Sequence, residues 1–142
     1  MPERFSIDTN VLIYSIDADA GTRHEQAAAL MDAMAERDCV LTLQALAEFF
    51  HAVTRKEKMS LEDASTMIRD WMTLFPTIAA ETGTLPAAIT LRAEHDFAFW
   101  DAMLVQTARG AGVTRLLSED MQDGRRVGPM RLENPFSTGF VL

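Results

Sequence analysis

The sequence is poor in positive charge: 13 Lys and Arg stand against 21 Asp and Glu, leaving a formal net charge of -8 over 142 residues. Proteins that grip nucleic acid by electrostatics usually carry a basic footprint. The deficit therefore speaks against a broad cationic face. Surplus acid that binds divalent ions inverts its own local field, and a basic partner chain neutralises it equally well. Cysteine is nearly absent. The single Cys39 lies in the apolar run Cys39-Val40-Leu41, which excludes an internal disulfide and reads as a small buried hydrophobe. Histidine is scarce, and His24, His51 and His95 form no metal-ligand pattern on a common helix face, which argues against zinc. No run of about 18 apolar residues exists, so no membrane-spanning helix is expected. The N-terminus reaches Asp8 before any apolar stretch long enough for a secretion signal. Together these absences point to a reducing cytoplasm.

Repeats, low-complexity tracts and long linkers are also missing, so residues 1–142 read as one domain. Within it, short apolar runs alternate with longer helical patterns. Arg4 to Ile7 reads as a strand, and Thr22 opens a helix with Glu25 as its capping-box partner. Cys39 to Thr42 is a second strand, apolar enough to be buried in a parallel sheet. Leu46, Phe49, Phe50 and Val53 follow the spacing of an amphipathic helix. Ser60 with Asp63 begins another helix, running through Trp71. Phe75 to Ala79 reads as a strand despite Pro76, Thr84 to His95 as a helix, and Phe99 to Arg109 as an apolar helix ended by Gly110 and Gly112. Arg115 to Leu117 and Met130 to Glu133 complete the strands. This alternation predicts an α/β fold: a central, mostly parallel sheet of four to five strands, flanked by helices on both faces. Ligands in such sheets bind beyond the carboxyl ends of the strands.

Acids stand at those ends. Asp8 follows the first strand and precedes an apolar helical segment, where an N-cap is the ordinary role for Asp. Asp101 is the only charged residue from Phe97 through Ala108. A carboxylate in so apolar a helix must be paired, hydrogen-bonded, metal-bound or protonated. Ion pairing to Arg92 or Arg109 is one solution; a functional site is the other. Asp120 follows the strand ending at Leu117 and shares the rim with Asp8, but Glu119 and Asp123 compete with it, and Asp123-Gly124 is also an ordinary turn. Glu48 points away from the apolar stripe of its helix, which suits a cleft or plain solvent equally. If three or four of these acids converge, they raise one another's pKa and need a compensating cation. All-oxygen ligation suits Mg²⁺, with Mn²⁺ as a substitute.

The chain resembles PIN-domain ribonucleases, and more narrowly the VapC-type toxins of bacterial toxin–antitoxin pairs. The resemblance runs through Ile7-Asp8-Thr9-Asn10-Val11-Leu12, Ala47-Glu48-Phe49, Phe99-Trp100-Asp101-Ala102, Leu117-Ser118-Glu119-Asp120-Met121-Gln122-Asp123-Gly124 and Leu132-Glu133-Asn134-Pro135-Phe136. The order and spacing of these pieces cover nearly the whole chain. It implies a PIN-like fold and a metal-binding catalytic quartet of Asp8, Glu48, Asp101 and Asp120. Thr9 and Asn10 would brace Asp8, Ser118 would hydrogen-bond behind the ligands, and Asp123 would supplement or replace Asp120. The implied activity is Mg²⁺-dependent hydrolysis of RNA by a metal-activated water, leaving a 5′-phosphate and a 3′-hydroxyl. The implied partners are RNA, a second copy of the chain, and a small antitoxin whose basic side chain enters the acidic site. Arg23, Arg55, Lys56, Lys58, Arg125 and Arg126 are candidate RNA contacts, each equally readable as a solvated surface charge.

Two rivals remain open at this point. A phosphatase working through an aspartyl-phosphate usually needs a second Asp two residues after the nucleophile, and Asn10 stands there instead. A non-catalytic protein regulating RNA or a partner by association is the other.

Overall fold

A computed structural model describes residues 2–142. The chain runs β1 (Phe5–Ile7), α1 (Thr9–Ile16), a 3-10 turn (Ala18–Ala20), α2 (Thr22–Met34), β2 (Leu41–Thr42), α3 (Leu43–Arg55), α4 (Leu61–Leu74), β3 (Thr77–Ile78), α5 (Thr84–His95), α6 (Phe99–Gly110), β4 (Arg115–Leu117), β5 (Arg126–Val127) and β6 (Met130–Glu133). Strands β1, β4, β6 and β5 lie side by side in that order, while β2 pairs with β3. A parallel bridge between Phe5 and Cys39 ties the two ladders together. Every pairing is parallel except β5 with β6.

All three residues of β1 are buried, so both faces of this strand are covered. That is the behaviour of a strand inside a helix-flanked parallel sheet. The core joins Phe5, Ile7, Leu116, Leu117 and Leu132 from the sheet with Leu12, Met34, Leu46 and Phe49 from the helices. Phe49 meets Trp71 of α4 edge-on, their ring centres 4.7 Å apart.

Several local expectations need adjusting. Helix α2 starts with Thr22 already inside it; Gly21, at φ 62°, occupies the cap and no side chain caps the helix, so Thr22 and Glu25 form no capping box. Ser60, in contrast, does accept the Asp63 N–H at 3.0 Å. The apolar stripe of α3 is Leu46, Phe49 and Val53, with Phe50 half-buried at its margin. The antiparallel edge strand β5 was not foreseen, because its two residues carry no period. Its hairpin to β6 turns at Gly128, where φ is 59° and an added Cβ would come within 2.9 Å of the Arg109 guanidinium. The positive φ favours glycine there, whereas the guanidinium, at the far end of a flexible side chain, has room to give way.

The three parallel strands β1, β4 and β6 finish at the same level. The Asp8 N–H donates to Leu117 O at 2.9 Å, and the Ser118 N–H to Glu133 O at 2.9 Å. Their carboxyl ends thus form a rim on which Asp8 and Ser118 are adjacent.

Candidate active site

Asp8 is the fixed point of that rim. It caps α1, with Oδ1 accepting the Thr9 N–H at 2.7 Å, so its capping role and its place in the site coexist. Oδ2 accepts the Ser118 hydroxyl at 2.7 Å. The same Ser118 oxygen accepts the Asp120 N–H at 3.2 Å, coupling the loop after β4 to the first aspartate. Only 7% of Asp8 is exposed. Burial, partly countered by the Ser118 and Thr9 hydrogen bonds, and reinforced by the charges of Asp101 and Asp120, lifts its carboxyl to about 6.

Asp101 lies in the first turn of α6, where the helix dipole favours an anion. Its carboxyl is nonetheless held above the ordinary range, by burial first and then by Asp120 and Glu48. Neither Arg92 nor Arg109 forms an ion pair with it; Arg109 turns to Gln106 Oε1 at 3.4 Å and packs over Gly128. Among the described residues, no Lys, Arg or His lies within ion-pair distance of Asp8, Glu48, Asp101 or Asp120. Among the described residues, the acids act on one another and pair with nothing positive.

Glu48 reaches the site from the exposed side of α3. Its Oε2 lies 3.4 Å from the Thr9 hydroxyl, which also donates to Ala45 O at 3.1 Å. Its Oε1 accepts from Gln44 Nε2 at 2.8 Å, and the other Gln44 N–H donates to Trp100 O at 2.9 Å. Gln44 therefore clips α3 to the start of α6 beside two of the acids. Sequence reasoning missed it, although its i, i+4 spacing to Glu48 was a legible signal.

The neighbouring acids have other attachments. Glu119 accepts from the Tyr14 hydroxyl at 2.7 Å and pairs with Arg23 at 2.7 Å. Asp123 Oδ1 accepts the Asn134 N–H at 2.9 Å, and the charges acting on Asp8 and Asp101 come from Asp120. Asn10 Oδ1 lies 3.4 Å from the Glu119 N–H, while its buried Nδ2 has no partner. Of the candidate RNA contacts, Arg23 is engaged with Glu119, Lys58 with Asp17 at 2.8 Å, and Arg125 with Phe97 and His95 O. Arg55, Lys56 and Arg126 remain exposed at the surface.

Among the described residues, no group of three His, Cys, Asp or Glu side chains is gathered tightly enough to hold a metal ion. The four acids sense one another without meeting at a point. Their chemistry still fits a hard divalent cation: donors are all oxygen, the charges are uncompensated, and two lie on surface side chains that change rotamer readily.

A family model described as the PIN domain matches residues 6–126. The chain belongs to the PIN-domain family. Its fold is similar to VapBC2 of Rickettsia felis bound to a promoter DNA fragment, with 15% identity, coverage of 92% of this chain and 98% of that one, and a TM-score of 0.67. The DNA-bound VapBC of Salmonella typhimurium shares 16% identity over 94% of this chain and 98% of its own, with a TM-score of 0.68. VapC20 of Mycobacterium tuberculosis, described as a Sarcin-Ricin loop cleaving toxin, shares 17% identity over 82% and 91%, with a TM-score of 0.63. No curated protein sequence is matched significantly. The PIN-domain α/β architecture, with its mostly parallel sheet and flanking helices, is thereby shown. No helix is long and apolar enough to cross a membrane.

Proposed function

We propose that this PIN-domain chain is a Mg²⁺-dependent endoribonuclease acting as the toxin of a toxin–antitoxin pair in the cytoplasm. One observation carries the reading: Asp8, Asp101, Asp120 and Glu48 act on one another at the carboxyl rim with no internal cation among the described residues to balance them. Acids perturbed by burial and by one another, as Asp8 and Asp101 are, cluster at functional sites.

Asp8, Asp101, Asp120 and Glu48 would hold Mg²⁺, and Mn²⁺ would substitute. A bound divalent ion supplies a water of lowered pKa and neutralises charge building on a phosphate. The chain's own contribution is orientation. Thr9 and Ser118 each hold one Asp8 oxygen, so the carboxylate presents its remaining lone pairs in a fixed direction. Gln44 holds Glu48 at one oxygen and leaves the other near Thr9. Attack of water oxygen on phosphorus, with loss of the 3′-oxygen, leaves a 5′-phosphate and a 3′-hydroxyl. No protein nucleophile is needed.

The partners follow from charge. A net charge of -8 suits a basic antitoxin segment entering the acidic rim, and structural relatives described as VapBC complexes support a protein partner of this sort. A homodimer is part of the same reading. The spread of the four acids favours one alternative, a PIN-like protein that binds RNA or a partner without cutting it.

The test is cleavage of total RNA by the purified protein with Mg²⁺, Mn²⁺ or EDTA, with the product ends sequenced. Wild type is expected to cut only with metal. Asp8→Asn and Asp101→Asn are each expected to lose on the order of 10³-fold or more in rate while keeping the helical circular dichroism of wild type. Equal cutting by both variants would sink the site assignment. A silent wild type that still binds RNA selects the alternative.

A further inference from the structure

We propose that Trp100 is a stacking platform for a nucleobase next to the phosphate that is cut. The proposal rests on the ribonuclease reading and names a specificity residue for the same site. Tryptophan is on average among the more buried side chains, yet Trp100 is 63% exposed. Its place is what gives that exposure meaning. It immediately precedes Asp101 in the first turn of α6, and its carbonyl is tied by Gln44 to the residue that also holds Glu48. The backbone carrying the indole is thus pinned to two of the acids. The ring itself touches Phe99 edge-to-face, ring centres 5.0 Å apart at 73°. Despite that contact, most of the Trp100 surface stays open to solvent.

An unpaired base has an apolar π-face, and stacking on an aromatic side chain is the common way for proteins to hold one. A ring beside the reacting phosphate also answers the charge problem. A chain of net charge -8 gains little from phosphate contacts alone, whereas stacking is independent of charge. Sequence reasoning treated Trp100 only as part of the motif around Asp101.

Fluorescence and kinetics test this together. The chain has two tryptophans, and Trp71 is buried against Phe49, so Trp100 supplies the solvent-sensitive emission. Titration of Asp8→Asn protein with a short single-stranded oligoribonucleotide is expected to quench that emission. The same titration in an Asp8→Asn, Trp100→Phe protein, or with an abasic oligomer of equal length, is expected to leave it unchanged. In otherwise wild-type protein, Trp100→Ala should raise KM by roughly 5- to 150-fold, the range for losing one stacked base, with a smaller change in kcat, and Trp100→Phe should restore part of the loss.

Unchanged KM in Trp100→Ala together with no quenching by RNA overturns the proposal while leaving the ribonuclease reading intact. A wild type that never cleaves RNA overturns the ribonuclease reading and with it the placement beside a cut phosphate; quenching then keeps only a base-binding ring, and its absence removes both. If Trp100→Ala splits a dimer on size-exclusion chromatography and RNA gives no quenching, the ring is a protein-contact residue and the proposal fails.

Discussion

Two groups of acids on this sheet treat negative charge in opposite ways. Glu3, ahead of β1, and Glu133, the last residue of β6, come with arginine. Arg115 at the start of β4 donates to both Glu133 oxygens, at 2.6 and 3.0 Å, and to Glu3 at 2.8 Å. Glu3 is held below its ordinary value, with the Arg115 hydrogen bond as the largest cause. Asp8 and Asp101 are pushed above theirs, by burial and by fellow acids. One fold thus has the means to neutralise a carboxylate and leaves Asp8, Glu48, Asp101 and Asp120 without it among the described residues. A structural acid carries its counter-ion within the chain; an acid that lacks one depends on something from outside.

The sharpest way to break this contrast is to exchange the behaviour of its two groups. Arg115→Gln is expected to destabilise the protein by about 3 kcal/mol, because Arg115 and Glu133 are both largely buried and a lone buried carboxylate is left behind. Urea unfolding measures this. RNA cleavage by the surviving folded fraction should be close to wild type, since Arg115 sits at the far end of β4 from Asp8. A loss of activity at full stability would unseat the division between the two groups of acids.

The opposite manipulation concerns Asp8, whose folded value of about 6 lies above its ordinary 3.8. A carboxyl raised by folding favours the fold when protonated. Its effect is therefore absent below the ordinary value and appears as a cost while pH climbs through 4 to 6. Above that window the cost reaches about 3 kcal/mol at 1.36 kcal/mol per unit. In EDTA, Asp8→Asn should consequently be more stable than wild type at pH 7, and the two should converge near pH 4. Adding Mg²⁺ at pH 7 should stabilise wild type selectively. If wild type is insensitive to Mg²⁺ in thermal unfolding, the acids do not await a cation.

Ser118→Ala probes the same group of acids more gently. It removes the hydroxyl that orients Asp8 and keeps Asp8 from rising further. Supporting residues of this sort are worth 10–100-fold in metal affinity, so the Mg²⁺ concentration for half-maximal activity should rise by roughly that factor. Metal titration of the cleavage rate reads it. A rise confined to RNA affinity would place Ser118 on the substrate instead.

The sequence was most legible where a pattern is long or a residue is chemically out of place. The helix at Thr84–His95 and the strands at Arg115–Leu117 and Met130–Glu133 end where their periodicity ends. Asp101 stood out as the one charge in an apolar helix, and it is indeed partly buried and unpaired. What failed to show was short or relational. The two residues of β5 have no period to detect, and the cap of α2 fell to Gly21 because a backbone conformation, not a side chain, stops the chain there. Glu119, Asp120 and Asp123 looked interchangeable as letters. Tertiary contacts separate them, sending Glu119 to Tyr14 and Arg23, Asp123 to Asn134, and leaving Asp120 to act on Asp8 and Asp101. Gln44 was legible only in its spacing to Glu48, because the other half of its role lies in α6, 56 residues away.

That residue gives the finest test of the contrast, because it brings a neutral donor to Glu48, one of the four acids with no cation beside it among the described residues. Each Gln44 N–H has one acceptor, Glu48 Oε1 and Trp100 O, and both bonds lie at the exposed surface. Hydrogen bonds at an exposed surface, even one to a carboxylate, replace bonds to water with little net gain, so Gln44→Ala should leave stability within about 0.5 kcal/mol of wild type. Activity should fall by a few-fold up to about tenfold through misplacement of Glu48 and Trp100. Gln44→Glu sharpens the reading, since it preserves size but adds a fifth acid beside Glu48. If the rim attracts a cation, that variant should bind Mg²⁺ at least as tightly as Gln44→Ala while cutting more slowly than wild type. If the rim is merely an acidic surface, the extra charge should change metal affinity no more than a Glu placed at exposed Gln26 does. Isothermal titration with Mg²⁺ across the three variants separates the two outcomes.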